Sequence, residues 1–65
     1  MRVGDRVRVP GPMTGVLVGD IEGGKYVAGY SAAEWRHLGS GLLVETEEAG
    51  LIHYPDRQDV TAAEE

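Results

Sequence analysis

Glycine and proline limit this chain more strongly than any other feature, because they divide it into short runs. Ten glycines and three prolines occur in 65 residues. Runs of about four to eight residues between such breakers are typical of β-strands and are too short for the helices of a bundle. We therefore predict a turn-rich, all-β domain.

Strands and turns alternate along most of the chain. Val3, Val7 and Val9 alternate with arginines, and a period of two gives a strand one buried face. The proline-glycine-proline sequence at 10–12 ends this strand because proline has no backbone donor. Similar patterns predict further strands at 14–19, 25–30, 42–47 and 51–54, and a last short strand from Val60.

The loop between the third and fourth strands has a helical signal instead. Ser31 and Glu34 have the spacing of a capping box, in which each side chain bonds the other residue's backbone amide. We predict one to two helical turns at 32–38 and a 3₁₀ turn at 56–59. This order of elements, with about five or six short strands, is typical of SH3-like barrels. Residues 1–60 are therefore predicted to form a single SH3-like barrel with Trp35 across one open end, and 61–65 a frayed acidic tail.

The small size of the chain predicts self-association. A domain of this length buries only about 60% of its unfolded surface, so it usually gains stability from disulfides, a metal or a partner. The chain has no cysteine, which excludes disulfides, thiolate metal sites and thiol nucleophiles. His37 and His53 lack the spacing of a metal site, so no metal is expected. A homodimer or homotetramer is the remaining means of stabilisation.

The charge distribution limits the classes of partner. The net charge is −5, with positive charge concentrated near the start of the chain and negative charge near its end. Binding to a phosphate backbone needs clustered lysine and arginine, so nucleic acid is not an expected partner. An apolar run of about 18 residues and a basic-then-apolar leader are both missing, so we expect a cytoplasmic protein that does not cross a membrane.

Four segments carry a resemblance to a known family: VGDRVRV at 3–9, TGVLVG at 14–19, GLLVETEEAG at 41–50 and LIHYP at 51–55. In this order they resemble the plasmid-borne type II, trimethoprim-insensitive dihydrofolate reductases, over about half the chain. Members of that family are short SH3-like chains that form a homotetramer around one central pore. The resemblance implies the same fold and assembly, and it suggests a small accessory protein of a mobile element or phage.

The family's pore floor is a valine-glutamine-isoleucine-tyrosine-proline strand, in which the glutamine and tyrosine face the ligands. By this resemblance Leu51 stands for the valine and His53 for the isoleucine, while Tyr54 and Pro55 match outright. The glutamine position is Ile52, which removes an amide that can both donate and accept hydrogen bonds.

A lysine that follows the family's first strand and binds anionic groups is also missing, since its position falls on Val9 or Pro10. The resemblance therefore implies shared architecture rather than shared catalysis. Tyr54 is the catalytic candidate, with NADPH as cofactor, only if the chain is an NADPH-dependent dihydrofolate reductase. Otherwise we expect no cofactor and a non-catalytic binding or accessory module.

Two regions are candidate interaction surfaces. The first is the partner or pore face of the fifth strand: Leu51, Ile52, His53 and Tyr54. The second is an aromatic loop with Tyr30 and Trp35, because SH3-like barrels bind peptides through aromatic residues in grooves between loops. His53 is either a general base or pH switch, or a half-buried strand histidine with a backbone or water partner. Self-association and binding of a protein partner are both consistent with these surfaces.

Overall fold

The computed structural model describes residues 2–63, which form a six-stranded antiparallel sheet with one short α-helix. The predicted all-β fold class is confirmed. The strands are β1 (Arg6–Val9), β2 (Met13–Asp20), β3 (Lys25–Tyr26), β4 (Leu42–Thr46), β5 (Gly50–Tyr54) and β6 (Thr61–Ala62). The helix is α1 (Ala32–Trp35), and 3₁₀ turns follow at Arg36–Leu38 and Arg57–Asp59. None of the helices in the described part of the chain is long and apolar enough to cross a membrane.

Strand β2 organises the sheet. Its first half pairs with β1, its last two residues pair with β3 on the same side, and β4 lies along its other side. The pairing with β4 shifts register between Leu17 and Gly19, so β2 carries a bulge that increases its twist. The strand order is β5-β4-β2-β1-β6, with β3 beside β2. Sharing one long, bent strand between both halves of the sheet produces a small, barrel-like domain.

The inner face of this sheet encloses the main core. The burial pattern of β1 alternates, with Val7 and Val9 buried and the two arginines exposed. We call the resulting set the inner cluster; its buried members are Val7, Val9, Leu17, Leu42, Val44, Tyr54 and Val60. Val3, Met13 and Ile52 pack against it from partly buried positions. The period-2 pattern of the sequence therefore produces this core directly.

A second hydrophobic cluster covers the opposite face of β2 and β4. Its buried members are Val18, Leu43 and Ile21, the residue that follows β2. The segment 21–41 folds back over this face, and we call the set the outer cluster; its partly buried members are Val16, Tyr26, Val27, Tyr30, Trp35 and Leu38. The long connection between β2 and β4 is therefore a second layer on the sheet and not an open loop.

Trp35 is the main correction to the sequence-based expectations. It was expected to cover an open end of the barrel, but it packs in the outer cluster against the outside of the sheet. The predicted strand at 25–30 is also too long, because β3 ends at Tyr26 and Gly29 has φ +95°, which ends extended structure. Ser31 caps the helix through Ala33 N, at 3.2 Å, instead of through Glu34.

The sheet extends further along the chain than expected. Thr61 and Ala62 form β6 and pair with Arg8 and Val7, and Ala63 N donates to Arg6 O at 3.1 Å. Thr61 and Ala62 therefore belong to the sheet and not to a frayed tail, because the edge of β1 offers them backbone partners. Residues 64 and 65 of the expected tail lie outside the described residues.

Candidate functional site at the β5 edge

Strand β5 is a long, open edge of the sheet. It pairs with β4 over all of its five residues, and within residues 2–63 no second strand pairs with it. An edge strand presents unpaired backbone N–H and C=O groups, which can pair with another strand. The other end of the sheet is β6, a strand of only two residues. The longer open edge is therefore β5.

The four candidate residues of β5 divide between two faces. Ile52 packs against the inner cluster, and Tyr54 belongs to it with an exposed fraction of 9%. Leu51 and His53 point to the outer face, opposite Glu45 and Leu43 of β4. Leu51 is the one large hydrophobic residue of the described chain that is exposed, at 37%. The face with Leu51 and His53 is therefore the accessible one, whereas Ile52 and Tyr54 stabilise the core.

His53 holds a turn in place. Its Nε2 atom lies 2.9 Å from the carbonyl oxygen of Ser40, and the residue is half-buried. Because a carbonyl oxygen only accepts, Nε2 carries the proton in this hydrogen bond. A Cβ atom on Gly41 would approach the same Nε2 atom to 2.9 Å and the carbonyl oxygen of Tyr54 to 2.6 Å. The imidazole therefore connects β5 to the turn before β4, which is a structural role.

Tyr30 and β5 meet at Glu45. The Tyr30 hydroxyl donates to Glu45 Oε1 at 3.2 Å, and Leu51 is the cross-strand partner of Glu45. Desolvation of the partly buried phenol, followed by the hydrogen bond and the charge of Glu45, raises the pKa of Tyr30. Two segments distant in sequence thus contribute to one surface. We call it the outer patch: Tyr30, Glu45, Leu51 and His53.

Trp35 lies near this region and is half-buried. Its ring packs against the outer cluster, and its Nε1 atom is buried without a hydrogen-bond partner among the described residues. The hydroxyl of Tyr26 in the same cluster is likewise buried and unpaired. Tyr30 and Trp35 both pack against the outer cluster from partly buried positions. Tyr30 borders the outer patch, and Trp35 anchors the segment behind it.

The residues aligned with the reductase pore do not fit NADPH. Val9, at one of the two aligned lysine positions, is apolar and buried in the core with an exposed fraction of 4%. Ile52 packs on the same core, and the Tyr54 side chain is enclosed within it. No cation or amide is therefore presented at the positions that would hold an anionic cofactor. We derive no catalytic step through NADPH from these residues.

Sequence reasoning missed Glu45 as a member of the outer patch. Its position could have indicated this, because Glu45 lies on the solvent side of β4, opposite the predicted strand at 51–54. No sequence pattern indicates the hydrogen bond with Tyr30, because it depends on how segment 21–41 folds back. Arg6 of β1 pairs with Glu47, in the turn after β4, at 3.4 Å.

Comparisons of the chain with models of protein families, with curated proteins and with solved structures give no match. The type II dihydrofolate reductase resemblance thus rests on the quoted segments alone. Across residues 2–63, no three potential ligands among histidine, aspartate and glutamate come together.

Proposed function

We propose that this chain is a small, non-catalytic SH3-like binding module that acts through self-association at the β5 edge. The observation that carries the proposal is the open, five-residue edge strand with the exposed Leu51 beside it. Pairing of β5 with the same strand of a second copy satisfies the free backbone groups of both chains. Such a contact is isologous and closes as a dimer, from which a tetramer can be built through a second surface.

The size of a stable interface indicates which residues join the contact. Specific interfaces bury about 800 Å² on each partner, which is roughly a fifth of the 4073 Å² surface of this chain. One short strand edge covers less than that, so the outer patch also has to contribute. Leu51 supplies apolar area next to the edge, and Tyr30 supplies a flat, partly buried ring.

Glu45 is the charged residue of the outer patch, and its carboxylate can be buried only if it keeps a hydrogen-bond donor. Glu45 accepts from Tyr30 at 3.2 Å, so its carboxylate keeps a hydrogen-bond donor when water is removed. An unpaired buried carboxylate would be strongly unfavourable. Self-association therefore depends on the Tyr30 hydroxyl as well as on Leu51. This dependence separates specific pairing from nonspecific contact between apolar surfaces.

Light scattering coupled to size-exclusion chromatography tests the proposal over a range of protein concentrations. We expect a dimer or tetramer for the unaltered chain. Leu51→Lys places a charge at the edge, which is how natural edge strands avoid pairing, and it should shift the chain to monomer. Tyr30→Phe should weaken association more moderately, by about tenfold, because Glu45 loses its donor.

Thr61→Lys is the matched control, because it places the same charge on β6, the short edge at the other end of the sheet. It should leave the oligomer intact. A monomeric unaltered chain would contradict self-association. So would an oligomer that Leu51→Lys and Thr61→Lys affect equally.

The reductase implied by the family resemblance is the alternative, and the same preparation tests it. Dihydrofolate and NADPH are added to the oligomer at high protein concentration, and NADPH absorbance is followed. We expect no turnover and no binding of NADPH, because the aligned positions present neither the cation nor the amide. Turnover that Tyr54→Phe abolishes would instead establish the reductase.

A further inference from the structure

A cleft elsewhere on the molecule is lined by residues that lie outside β5. It has a volume of about 230 Å³ and is lined by Arg2, Val3, Leu17, Asp20, Lys25 and Arg57. Three segments that are distant in sequence meet there: the start of the chain, the end of β2 with β3, and the second 3₁₀ turn. The residues of the outer patch do not line it.

Backbone pairing holds the start of the chain against β2. Gly4 N donates to Leu17 O at 2.7 Å, and Leu17 N donates to Asp5 O at 2.9 Å. Arg2 N donates to the Asp5 carboxylate at 3.0 Å, which turns the chain at this point. These hydrogen bonds place Val3 over the inner cluster and bring Arg2 to the rim of the cleft.

The opposite side of the cleft is built by β3 and by the second 3₁₀ turn. Lys25 is the cross-strand partner of Asp20, so both side chains lie at the end of β2. The Asp56 carboxylate caps the 3₁₀ turn through Gln58 N at 2.9 Å, which orients the turn that carries Arg57. Arg57 then reaches Asp20 Oδ1 at 3.2 Å.

The floor and the rim of the cleft have opposite character. Leu17 is buried, with an exposed fraction of 2%, and Val3 is half-buried beside it. The rim carries three of the six basic residues of a chain whose net charge is −5. Asp20 is the acidic residue among the lining side chains. An apolar floor below a predominantly cationic rim is the arrangement that an amphipathic anion requires.

The cations differ in how far they are already neutralised. Arg57 is shared between Asp20 at 3.2 Å and Glu22 at 3.8 Å. Asp20 Oδ1 also accepts from Gly23 N at 3.2 Å, so the oxygen that pairs with Arg57 is held in place by the backbone. Within residues 2–63, the side chains of Arg2 and Lys25 form no ion pair. Their charges are therefore available to an anion that enters the cleft.

We propose that this cleft binds a small organic anion, with its anionic oxygens between Lys25 and Arg2 and its apolar part on Val3 and Leu17. Arg57 completes the rim while Asp20 holds it in position. Hydrogen bonds from cationic donors to carboxylate oxygens are short and stronger than neutral ones, and they supply the orientation. Contact with the floor supplies selection for a ligand that carries an apolar group. The site is independent of the β5 edge and of the self-association proposed there.

Benzoate is the probe, with benzyl alcohol as its neutral counterpart and inorganic phosphate as an anion without an apolar part. Each is titrated into the isotopically labelled full chain, and the amide signals are followed by two-dimensional NMR. We expect benzoate to shift the signals of Val3, Leu17 and Lys25 along a saturable curve. Benzyl alcohol and phosphate should each bind more weakly than benzoate.

Lys25→Gln is the deciding variant, because Lys25 has no ion pair in the described chain and its loss should not change the melting temperature. We expect it to weaken benzoate binding by about three- to tenfold. Arg8→Gln is the matched control, because Arg8 is an exposed cation of β1 that does not line the cleft. It should leave the affinity unchanged.

The absence of saturable benzoate binding would overturn the proposal. Equal loss of affinity in Lys25→Gln and Arg8→Gln would do the same, since it would indicate general attraction of anions. If benzyl alcohol bound as tightly as benzoate, the negative charge would not matter, and the proposal would be contradicted. If phosphate bound as tightly as benzoate, the apolar group would not matter, and the proposal would likewise be contradicted.

Discussion

The hydrophobic clusters on the two faces of the β2–β4 sheet differ in how completely their side chains are buried and in whether their polar atoms are hydrogen-bonded. The inner cluster consists of strand residues in alternation together with Val60, and several of its side chains have no exposed surface at all. The outer cluster is completed by segment 21–41, most of whose contributing side chains remain partly exposed. It also holds two buried polar atoms, Tyr26 OH and Trp35 Nε1, for which residues 2–63 provide no partner. Unsatisfied buried groups each lower stability by about 1–3 kcal/mol.

From this difference we expect the inner cluster to contribute more to stability than the outer cluster. Strand residues of the inner cluster gain packing and backbone pairing together. Segment 21–41 pairs with β2 through the two residues of β3, and Val27 N donates to Val18 O at 3.0 Å. Its contributions to the outer cluster are side chains. We therefore expect the outer layer to open locally before the barrel unfolds.

The largest effect is expected from truncating the inner cluster. Leu42→Ala removes a side chain with no exposed surface and should lower the free energy of unfolding by about 2–5 kcal/mol. Leu38→Ala makes the same chemical change in the outer cluster and should lower it by only about 1 kcal/mol. Urea denaturation at one protein concentration measures both. Equal losses would contradict the ranking of the two clusters.

Gly15 and Gly19 of β2 allow the two faces of the sheet to be compared by adding a methyl group instead of removing a side chain. A Cβ atom on Gly15 would collide with the backbone of Glu45 and Thr46, whereas one on Gly19 would meet the Tyr26 ring at 2.9 Å and the Leu43 side chain at 3.1 Å. A ring can move and a paired strand cannot, so Gly15→Ala should be the more destabilising, by about 1–3 kcal/mol. Thermal unfolding of the two variants provides the comparison, and a larger loss for Gly19→Ala would reverse it.

Removal of the Trp35 side chain from the outer cluster should destabilise segment 21–41 more than the rest of the sheet. Trp35→Ala should lower global stability by about 1–2 kcal/mol, because the ring is only half-buried. Hydrogen exchange should show loss of protection at the Val27 amide while the amide of Val7 in β1 stays protected. Uniform loss of protection at both amides would indicate that the two layers unfold as one unit.

Two tyrosines of the outer layer should respond in opposite directions. Tyr26→Phe removes a buried hydroxyl without a partner and should leave the melting temperature unchanged or raise it. Tyr30→Phe removes the hydrogen bond to Glu45 and should lower the melting temperature slightly. A marked loss of stability in Tyr26→Phe would mean that its hydroxyl has a partner, such as an ordered water.

The smallest effect is a change of stability at high pH. The folded protein holds the phenolic proton of Tyr30 more tightly than the unfolded chain, since its pKa is raised above the ordinary value of 10.0. Its contribution is therefore present below pH 10.0 and is lost as the pH rises through the folded pKa. We expect Tyr30→Phe to flatten the decline of the melting temperature above that pH. An identical decline in the variant would contradict this contribution.

Much of the sheet could be predicted because its signals are local. The strands at β1, β2, β4 and β5 follow from alternating apolar residues between glycines and prolines, and the structure places them within one or two residues of the predicted ranges at most ends. The 3₁₀ turn before β6 follows from an aspartate cap. The third strand was overestimated because apolar residues near Val27 pack on the sheet face instead of pairing along it.

The candidate site was predictable only in part, because much of it depends on contacts that are not local in sequence. Alternation along a strand separates Leu51 and His53 from Ile52 and Tyr54, but the residues alone do not indicate which pair faces the core. The partnership of Tyr30 with Glu45 depends on the path of a long connection. No local pattern joins Arg2, Lys25 and Arg57, which line one cleft only after the sheet has bent.

The sequence by itself determined the all-β class, the order of the elements and the residues that alternate into each face. These properties depend on backbone dihedral preferences and on a period of two, both of which act between neighbouring residues. The tertiary structure decided that Trp35 lies on the outside of the sheet, that the β5 edge is open, and that three cations surround an apolar floor. These properties arise from contacts between segments far apart in the chain, whose free energy no local pattern contains.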